Sequence, residues 1–86
     1  MNNMAEQISE LGNLISSLSE VQNDVTVPRN VRTKIENIIN TLKEDTELSI
    51  KVSKALNGLD ELAGDINLQA YTRTQIWNVM SVLEKL

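Results

Sequence analysis

The sequence of 86 residues has no cysteine and no histidine, and it has only one proline and three glycines. Without cysteine there is no disulfide framework, no thiolate nucleophile and no sulfur ligand for a metal. Without histidine, imidazole bases and imidazole metal ligands are also missing. So few glycines and prolines argue against an all-β protein, whose many turns need both. We therefore expect a protein that is not an enzyme and that has no cofactor and no metal site.

Long apolar runs and an excess of basic charge are missing as well. No apolar run exceeds three residues, so we expect neither a membrane span nor a signal peptide and assign the protein to the cytoplasm. Twelve acidic and eight basic residues give a net charge of −4. This balance gives phosphate backbones no general attraction, and one Trp and one Tyr offer little for bases to stack on. A nucleic-acid partner is therefore disfavoured.

The apolar residues that are present recur at steps of three and four, which predicts four amphipathic helices. The stripes are Met4, Ile8, Leu11, Ile15 and Leu18, widened by Leu14 and Val21; Val31, Ile35, Ile38, Ile39 and Leu42; Leu48, Val52, Ala55, Leu56, Leu59, Leu62 and Ala63; and Ile76, Val79, Met80 and Leu83. The predicted helices span about 4–22, 28–43, 47–63 and 69–85. Pro28 suits the first turn of the second helix, and Asp45 or Thr46 is the expected cap of the third.

An internal repeat becomes visible when the chain is shifted by 41 residues. Eight identities then coincide without a gap: Leu18 with Leu59, Glu20 with Glu61, Asp24 with Asp65, Arg32 with Arg73, Thr33 with Thr74, Ile35 with Ile76, Asn37 with Asn78, and Leu42 with Leu83. Shared amphipathic periodicity explains the leucine matches but not the polar ones. We infer two copies of a helix–turn–helix unit, at about 4–43 and 47–86.

A period of this length resembles HEAT hairpin repeats. The resemblance implies that the Asp of each turn and the Arg of each second helix form a polar ladder that joins the hairpins: Asp24, Arg32, Asp65 and Arg73. Two hairpins are too few for an extended solenoid, but they can close on each other. The predicted fold is a single all-α domain over 1–86, a four-helix bundle made of two HEAT-like hairpins.

Two segments also resemble a small archaeal family that is classed only as uncharacterised protein family 0147. They are Val25-Thr26-Val27-Pro28-Arg29-Asn30-Val31-Arg32 and Thr72-Arg73-Thr74-Gln75-Ile76-Trp77-Asn78. The likeness covers nearly the whole chain. It implies a cytoplasmic four-helix bundle with no assigned activity.

The two repeated arginines have two interpretations. Each guanidinium fits the carboxylate of an Asp well, which favours a structural role in the ladder. Together, Arg32 and Arg73 could instead hold an anion such as a phosphate. Trp77 follows Arg73 by one helical turn, so a cation–π contact and partial burial are expected, with an interface hot spot as the alternative.

The fourth helix has an uncharged strip on its outer side, formed by Tyr71, Gln75, Asn78 and Val82. A partner could cover such a strip without burying ions. Together with Trp77 these residues are the candidate interface. Ile50 is also expected to face away from the core, and it could support self-association together with Tyr71 and Val82.

We expect a non-catalytic helical scaffold or protein-interaction module, with another protein or a second copy as partner. The alternative is a factor associated with RNA or a ribonucleoprotein, using Arg29, Arg32, Lys34 and Arg73 as a local basic patch.

Overall fold

All regular secondary structure in residues 4–86, the part that the computed structural model describes, is α-helical. The helices are α1 (Met4–Gln22), α2 (Arg29–Leu42), α3 (Leu48–Ala63) and α4 (Ala70–Leu83). Along the chain each helix packs on the next, and α4 packs back on α1. The predicted all-α four-helix bundle is confirmed. None of these helices has the length and apolar character needed to cross a bilayer.

The helices α2, α3 and α4 each begin one residue after the predicted start. Their N-cap residues are Pro28, Glu47 and Gln69, with φ between −54° and −62° and ψ between 140° and 143°. None of the three forms a capping hydrogen bond with its side chain. The expectation that Asp45 or Thr46 caps α3 is therefore wrong, and Pro28 lies just before α2. The fixed φ of proline matches this extended N-cap backbone.

The two hairpins bury the same positions. Eight pairs of buried residues are separated by 41 positions: Leu14 and Ala55, Leu18 and Leu59, Val21 and Leu62, Val27 and Leu68, Val31 and Thr72, Ile35 and Ile76, Ile38 and Val79, and Leu42 and Leu83. The bounds of α2 and α4 also differ by 41 at both ends. The contact of α2 with α3 thus corresponds to the contact of α4 with α1. The bundle closes around an approximate internal twofold relation.

The beginning of α1 differs from the predicted core. Met4 and Ile8 belong to the first apolar stripe, yet their side chains are 75% and 65% exposed. The helix α1 has 19 residues, whereas α2 and α4 have 14 each. Met4 and Ile8 line an open cleft of about 320 Å³ with Leu48 and Lys51, so the start of α3 flanks these side chains without covering them. Burial in α1 begins only at Leu14.

The two glycines within helices have different surroundings. A Cβ atom on Gly58 would lie 3.1 Å from Cγ1 and Cδ1 of Ile38, so α2 approaches α3 closely at this point. A Cβ atom on Gly12 would meet no atom within 4 Å. The expectation that close helix contact explains both glycines holds only for Gly58. Gly12 weakens α1 without a packing reason.

Candidate functional site

The turn between α1 and α2 is closed by the main chain and by one carboxylate. The N–H of Asp24 donates to the carbonyl of Val21 at 3.2 Å, and the N–H of Val27 donates to the carbonyl of Asp24 at 3.0 Å. Oδ1 of Asp24 accepts hydrogen bonds from the N–H and the hydroxyl of Thr26, at 2.9 and 2.7 Å. Nε of Arg32 donates to the carbonyl of Val27 at 3.0 Å. These bonds attach the first turns of α2 to the turn before it.

The turn between α3 and α4 repeats this geometry. The N–H of Asp65 donates to the carbonyl of Leu62, and the N–H of Leu68 donates to the carbonyl of Asp65, both at 3.1 Å. Oδ1 of Asp65 accepts a hydrogen bond from the N–H of Asn67 at 2.9 Å. Each of these bonds has a counterpart 41 residues earlier in the chain. The repeat therefore extends from the buried positions to the hydrogen bonds of the turns.

Arg73 makes more hydrogen bonds than its counterpart Arg32. Nε of Arg73 donates to the carbonyl of Ala63 at 3.0 Å, and Nη2 donates to the carbonyls of Asp65 and Leu68 at 2.7 and 3.1 Å. One guanidinium thus holds together the end of α3, the turn, and the residue before the N-cap of α4. Arg32 donates one hydrogen bond within the described chain.

The predicted polar ladder of Asp24, Arg32, Asp65 and Arg73 needs a correction. Within residues 4–86, neither aspartate forms an ion pair with an arginine, and the hydrogen bonds of each arginine stay in its own hairpin. The physical reason is that the carbonyls of the turns, and that of Ala63 at the end of α3, have acceptor capacity left, and the guanidinium supplies donors to them. The carboxylates serve the turn N–H groups instead. All four residues fix turns, but no ladder joins the hairpins.

The hydrogen bonds at Asp24 predict that its contribution to stability depends on pH. The hydroxyl and the N–H of Thr26 hold the pKa of Asp24 below its ordinary value of 3.8, and the charge of Arg32 adds to this. A carboxyl with a lowered pKa stabilises the fold above its unfolded pKa, and this contribution disappears as the pH falls through the folded pKa. We therefore expect Thr26→Ala to raise the pKa of Asp24 towards 3.8, and Arg32→Met to raise it less. An NMR titration of the side-chain carboxyl carbon measures both; an unchanged pKa in Thr26→Ala would contradict this geometry.

The four residues of the alternative basic patch do not share one surface. Arg29 and Arg32 line a polar cleft of about 240 Å³ with Gln22, Thr33 and Glu36. Lys34 follows Arg32 by two residues, which places it about 200° further around α2. Arg73 belongs to the other hairpin, where its guanidinium binds main-chain carbonyls. The structure therefore brings together Arg29 and Arg32 only.

Trp77 lies at the edge of the bundle. Its side chain is 53% exposed, so about half of it is buried, in line with the expected partial burial. The guanidinium of Arg73 donates its hydrogen bonds to the turn carbonyls, and its expected cation–π contact with Trp77 stays a prediction. Trp77 follows Gln75 by two residues and therefore lies on a different side of α4. It does not belong to the same surface as the uncharged strip.

The uncharged strip of α4 forms one wall of a groove between α1 and α4. The groove has a volume of about 210 Å³ and is lined by Leu14, Ser17, Glu20, Gln75, Asn78, Val79 and Val82. Gln75 and Val82 are half-buried in it, and Asn78 is exposed. Tyr71 precedes Gln75 by one turn on the same side of α4, and its side chain is 71% exposed. We call this feature the α1–α4 groove.

Sequence reasoning missed the α1 wall of this groove. The signal was available, because Glu10, Asn13, Ser17 and Glu20 follow one another at steps of three and four along one side of α1. It also missed the two turn tips, where Val25 and Ile66 are 83% and 91% exposed. Their equivalent positions were visible in the repeat, but nothing in the sequence distinguished them from the buried pair two residues later.

The described residues contain no group of three or more carboxylates placed to hold a metal ion. The chemistry that the α1–α4 groove offers is therefore that of a surface, with three apolar side chains, two amides, one hydroxyl and one carboxylate in its lining. Such a site can bind a ligand, but it presents no nucleophile paired with a base.

Comparison with known proteins gives a family but no activity. The model of the uncharacterised protein family UPF0147 matches residues 1–86. The crystal structure of a protein of unknown function, MMP1188, is similar at a TM-score of 0.86 and 39% identity, over 98% of this chain and 93% of that one. A UPF0147 protein from Thermoplasma acidophilum is similar at a TM-score of 0.86 and 32% identity, over 91% and 93% of the two chains. No curated protein matches the sequence.

Proposed function

Because the chain belongs to the uncharacterised protein family UPF0147, no activity is carried over from its relatives, and we propose one from its surface. The protein is a cytoplasmic, non-catalytic helical scaffold that binds a partner protein through the α1–α4 groove. The Thermoplasma acidophilum relative supports an archaeal origin.

The observation that carries this proposal is the uncharged α4 wall of the groove. A partner that covers this wall buries no charged group, because its residues are Gln75, Asn78 and Val82. The two amides can exchange their hydrogen bonds to water for hydrogen bonds to the partner. Tyr71 adds a large, rigid side chain of a type that is enriched in protein interfaces. Because the side chain of Tyr71 is mostly exposed, it contributes little to the stability of the bundle. A binding role explains why an aromatic residue occupies this position.

The approximate twofold relation supplies a matched control for the test. A photoreactive amino acid is placed at position 78 in one variant and at position 37 in the other. Asn37 is the counterpart of Asn78, and both are exposed. We expect position 78 to crosslink a discrete protein in extracts of the native host and position 37 to give none. The crosslink should weaken several-fold when Tyr71→Ala is added. Equal crosslinking from both positions, or none from position 78, would contradict the proposal.

The RNA-associated alternative has one supporting observation, the cleft between Arg29 and Arg32. Binding of single-stranded RNA that weakens steeply with salt and is lost in Arg29→Ala would favour this alternative over a protein partner. We rank it second, because two neighbouring arginines on a chain of net charge −4 supply little attraction for a phosphate backbone.

A further inference from the structure

The two helix pairs that the offset of 41 relates are not equally close. Between α2 and α3, Gly58 has no side chain, and Cγ1 and Cδ1 of Ile38 lie 3.1 Å from where its Cβ atom would be. The counterparts between α1 and α4 are Ser17 and Val79. The helices α1 and α4 also make less extensive contact with each other than α2 and α3 do. The α1–α4 pair is therefore the more open of the two.

Two side chains of α1 account for this opening. Leu14 occupies the position at which α3 has Ala55, and Ser17 occupies the position at which α3 has Gly58. Both Leu14 and Ser17 line the α1–α4 groove. The distance between two packed helices depends on the side chains at their contact, so larger residues hold the helices further apart. The groove follows from this substitution of larger residues for alanine and glycine.

Val79 lies under the space that this separation leaves. Leu14 and Val79 are the two buried side chains in the lining of the groove, and Val82 beside them is half-buried. Valine has no δ carbon, so the Cδ1 atom with which Ile38 packs against Gly58 has no counterpart at position 79. The size of the residue at position 79 therefore limits how far a group from outside can enter.

The volume of the groove corresponds to one side chain. An apolar cavity of about 150 Å³ in a protein core holds a benzene molecule, and the groove has about 210 Å³. Pockets for cofactors and drug-sized ligands start at roughly 300 Å³. The groove thus has room for one large apolar side chain of a partner, and it is too small for a cofactor.

Polar groups surround the apolar part of the groove. Ser17, Gln75 and Asn78 supply a hydroxyl and two amides, which can form hydrogen bonds with the main chain on either side of an inserted residue. Glu20 is the one charged residue in the lining, so the lining favours an occupant by its shape and polarity. Hot spots of protein interfaces share this arrangement, in which polar contacts exclude water around an apolar anchor.

From these observations we infer that Val79 is the specificity-determining residue of the α1–α4 groove, and that the partner inserts one large apolar side chain above it. The inference rests on the proposed function and adds the chemistry of the group that the groove receives. A methyl group added at position 79 would fill the space for this side chain. At position 38 the same methyl group is part of the packing between α2 and α3.

Capped amino acids test the inference on the whole protein. The probes are N-acetyl-leucinamide and N-acetyl-asparaginamide, whose side chains are similar in shape and differ in polarity. We expect the leucine probe to shift the methyl resonances of Leu14 and Val82 saturably, and to bind about fivefold or more tightly than the asparagine probe. In Val79→Ile the affinity for the leucine probe should fall about fivefold or more.

Ile38→Val is the matched control, because it removes at the counterpart position the methyl group that Val79→Ile adds. It should bind the leucine probe within about twofold of the wild type, with circular dichroism confirming that both variants are folded. Val79→Ala is the second variant. It deepens the groove and should shift the preference from the leucine probe towards N-acetyl-tryptophanamide by about threefold or more.

Equal binding of the leucine and asparagine probes, or no saturable binding of the leucine probe, would overturn the inference. So would an unchanged affinity in Val79→Ile together with an unchanged preference in Val79→Ala.

The inference and the proposed function can fail separately. If position 78 crosslinks the same protein equally well with and without Val79→Ile, the proposed function stands and Val79 does not determine specificity. If the probes behave as expected but position 78 crosslinks nothing in the native extract, the groove receives an apolar side chain and the proposed function fails.

Discussion

Arg73→Met is expected to lower the free energy of unfolding by about 2–4 kcal/mol, because three hydrogen bonds from a charged donor are lost. Methionine keeps much of the apolar stem, so the loss reports the guanidinium rather than packing. The carbonyls of Ala63, Asp65 and Leu68 would all lose a donor in a part-buried turn. Urea unfolding followed by circular dichroism measures the change.

Arg32→Met is the control from the other hairpin. It removes a single hydrogen bond, to the carbonyl of Val27, so the expected loss is only about 1 kcal/mol. Because Arg73 binds the main-chain oxygen of Asp65 and not its carboxylate, the coupling between Asp65→Ala and Arg73→Met should stay below about 1 kcal/mol, as expected for two groups that fix one turn without pairing. Equal losses for the two arginines, or strong coupling between Asp65 and Arg73, would show that carboxylate–guanidinium pairing holds the turns.

Leu59→Ala is expected to lower the free energy of unfolding by about 3–4 kcal/mol, because the side chain is fully buried and its removal leaves a cavity. Leu18 is its counterpart in the first hairpin and is 1% exposed. If the hairpins are equivalent, Leu18→Ala should cost the same to within about 1 kcal/mol. Chemical unfolding of both variants under one set of conditions makes this comparison.

Ile50→Ala provides the surface control for these core substitutions. Its side chain is 46% exposed on the outer side of α3, so the expected cost is below about 1 kcal/mol. A cost at Leu18 less than half of that at Leu59 would mean that only one hairpin forms a well-packed core. The internal twofold relation would then be geometric but not energetic.

The helical periodicity and the repeat together predicted most of the fold. Steps of three and four placed α1 correctly and the other helices to within one or two residues, because each stripe is buried by a neighbouring stripe. The offset of 41 predicted that Leu18 and Leu59, and Ile35 and Ile76, have equal burial. The repeat was informative because equivalent positions in the two hairpins pack against equivalent neighbours.

Other features depend on tertiary geometry that local patterns do not contain. Met4 and Ile8 satisfy the periodicity, but the start of α3 flanks their side chains without covering them, so both remain exposed. The pairing of Asp with Arg was plausible by charge, yet main-chain carbonyls lay nearer to the guanidinium. In the candidate interface the strip on α4 was visible from its spacing. The row on α1 has the same spacing, but that this row faces the strip on α4 follows only from the closed bundle.

The most direct test of the account is to map which surface the partner protein captured at position 78 covers, by its effect on the amide chemical shifts of this chain. Binding in the α1–α4 groove predicts the largest shifts at Ser17, Glu20, Gln75 and Asn78, with little change at their counterparts Gly58, Glu61, Lys34 and Asn37. Shifts of similar size in both sets, or the largest shifts around Arg29 and Arg32, would contradict the assignment of the binding surface.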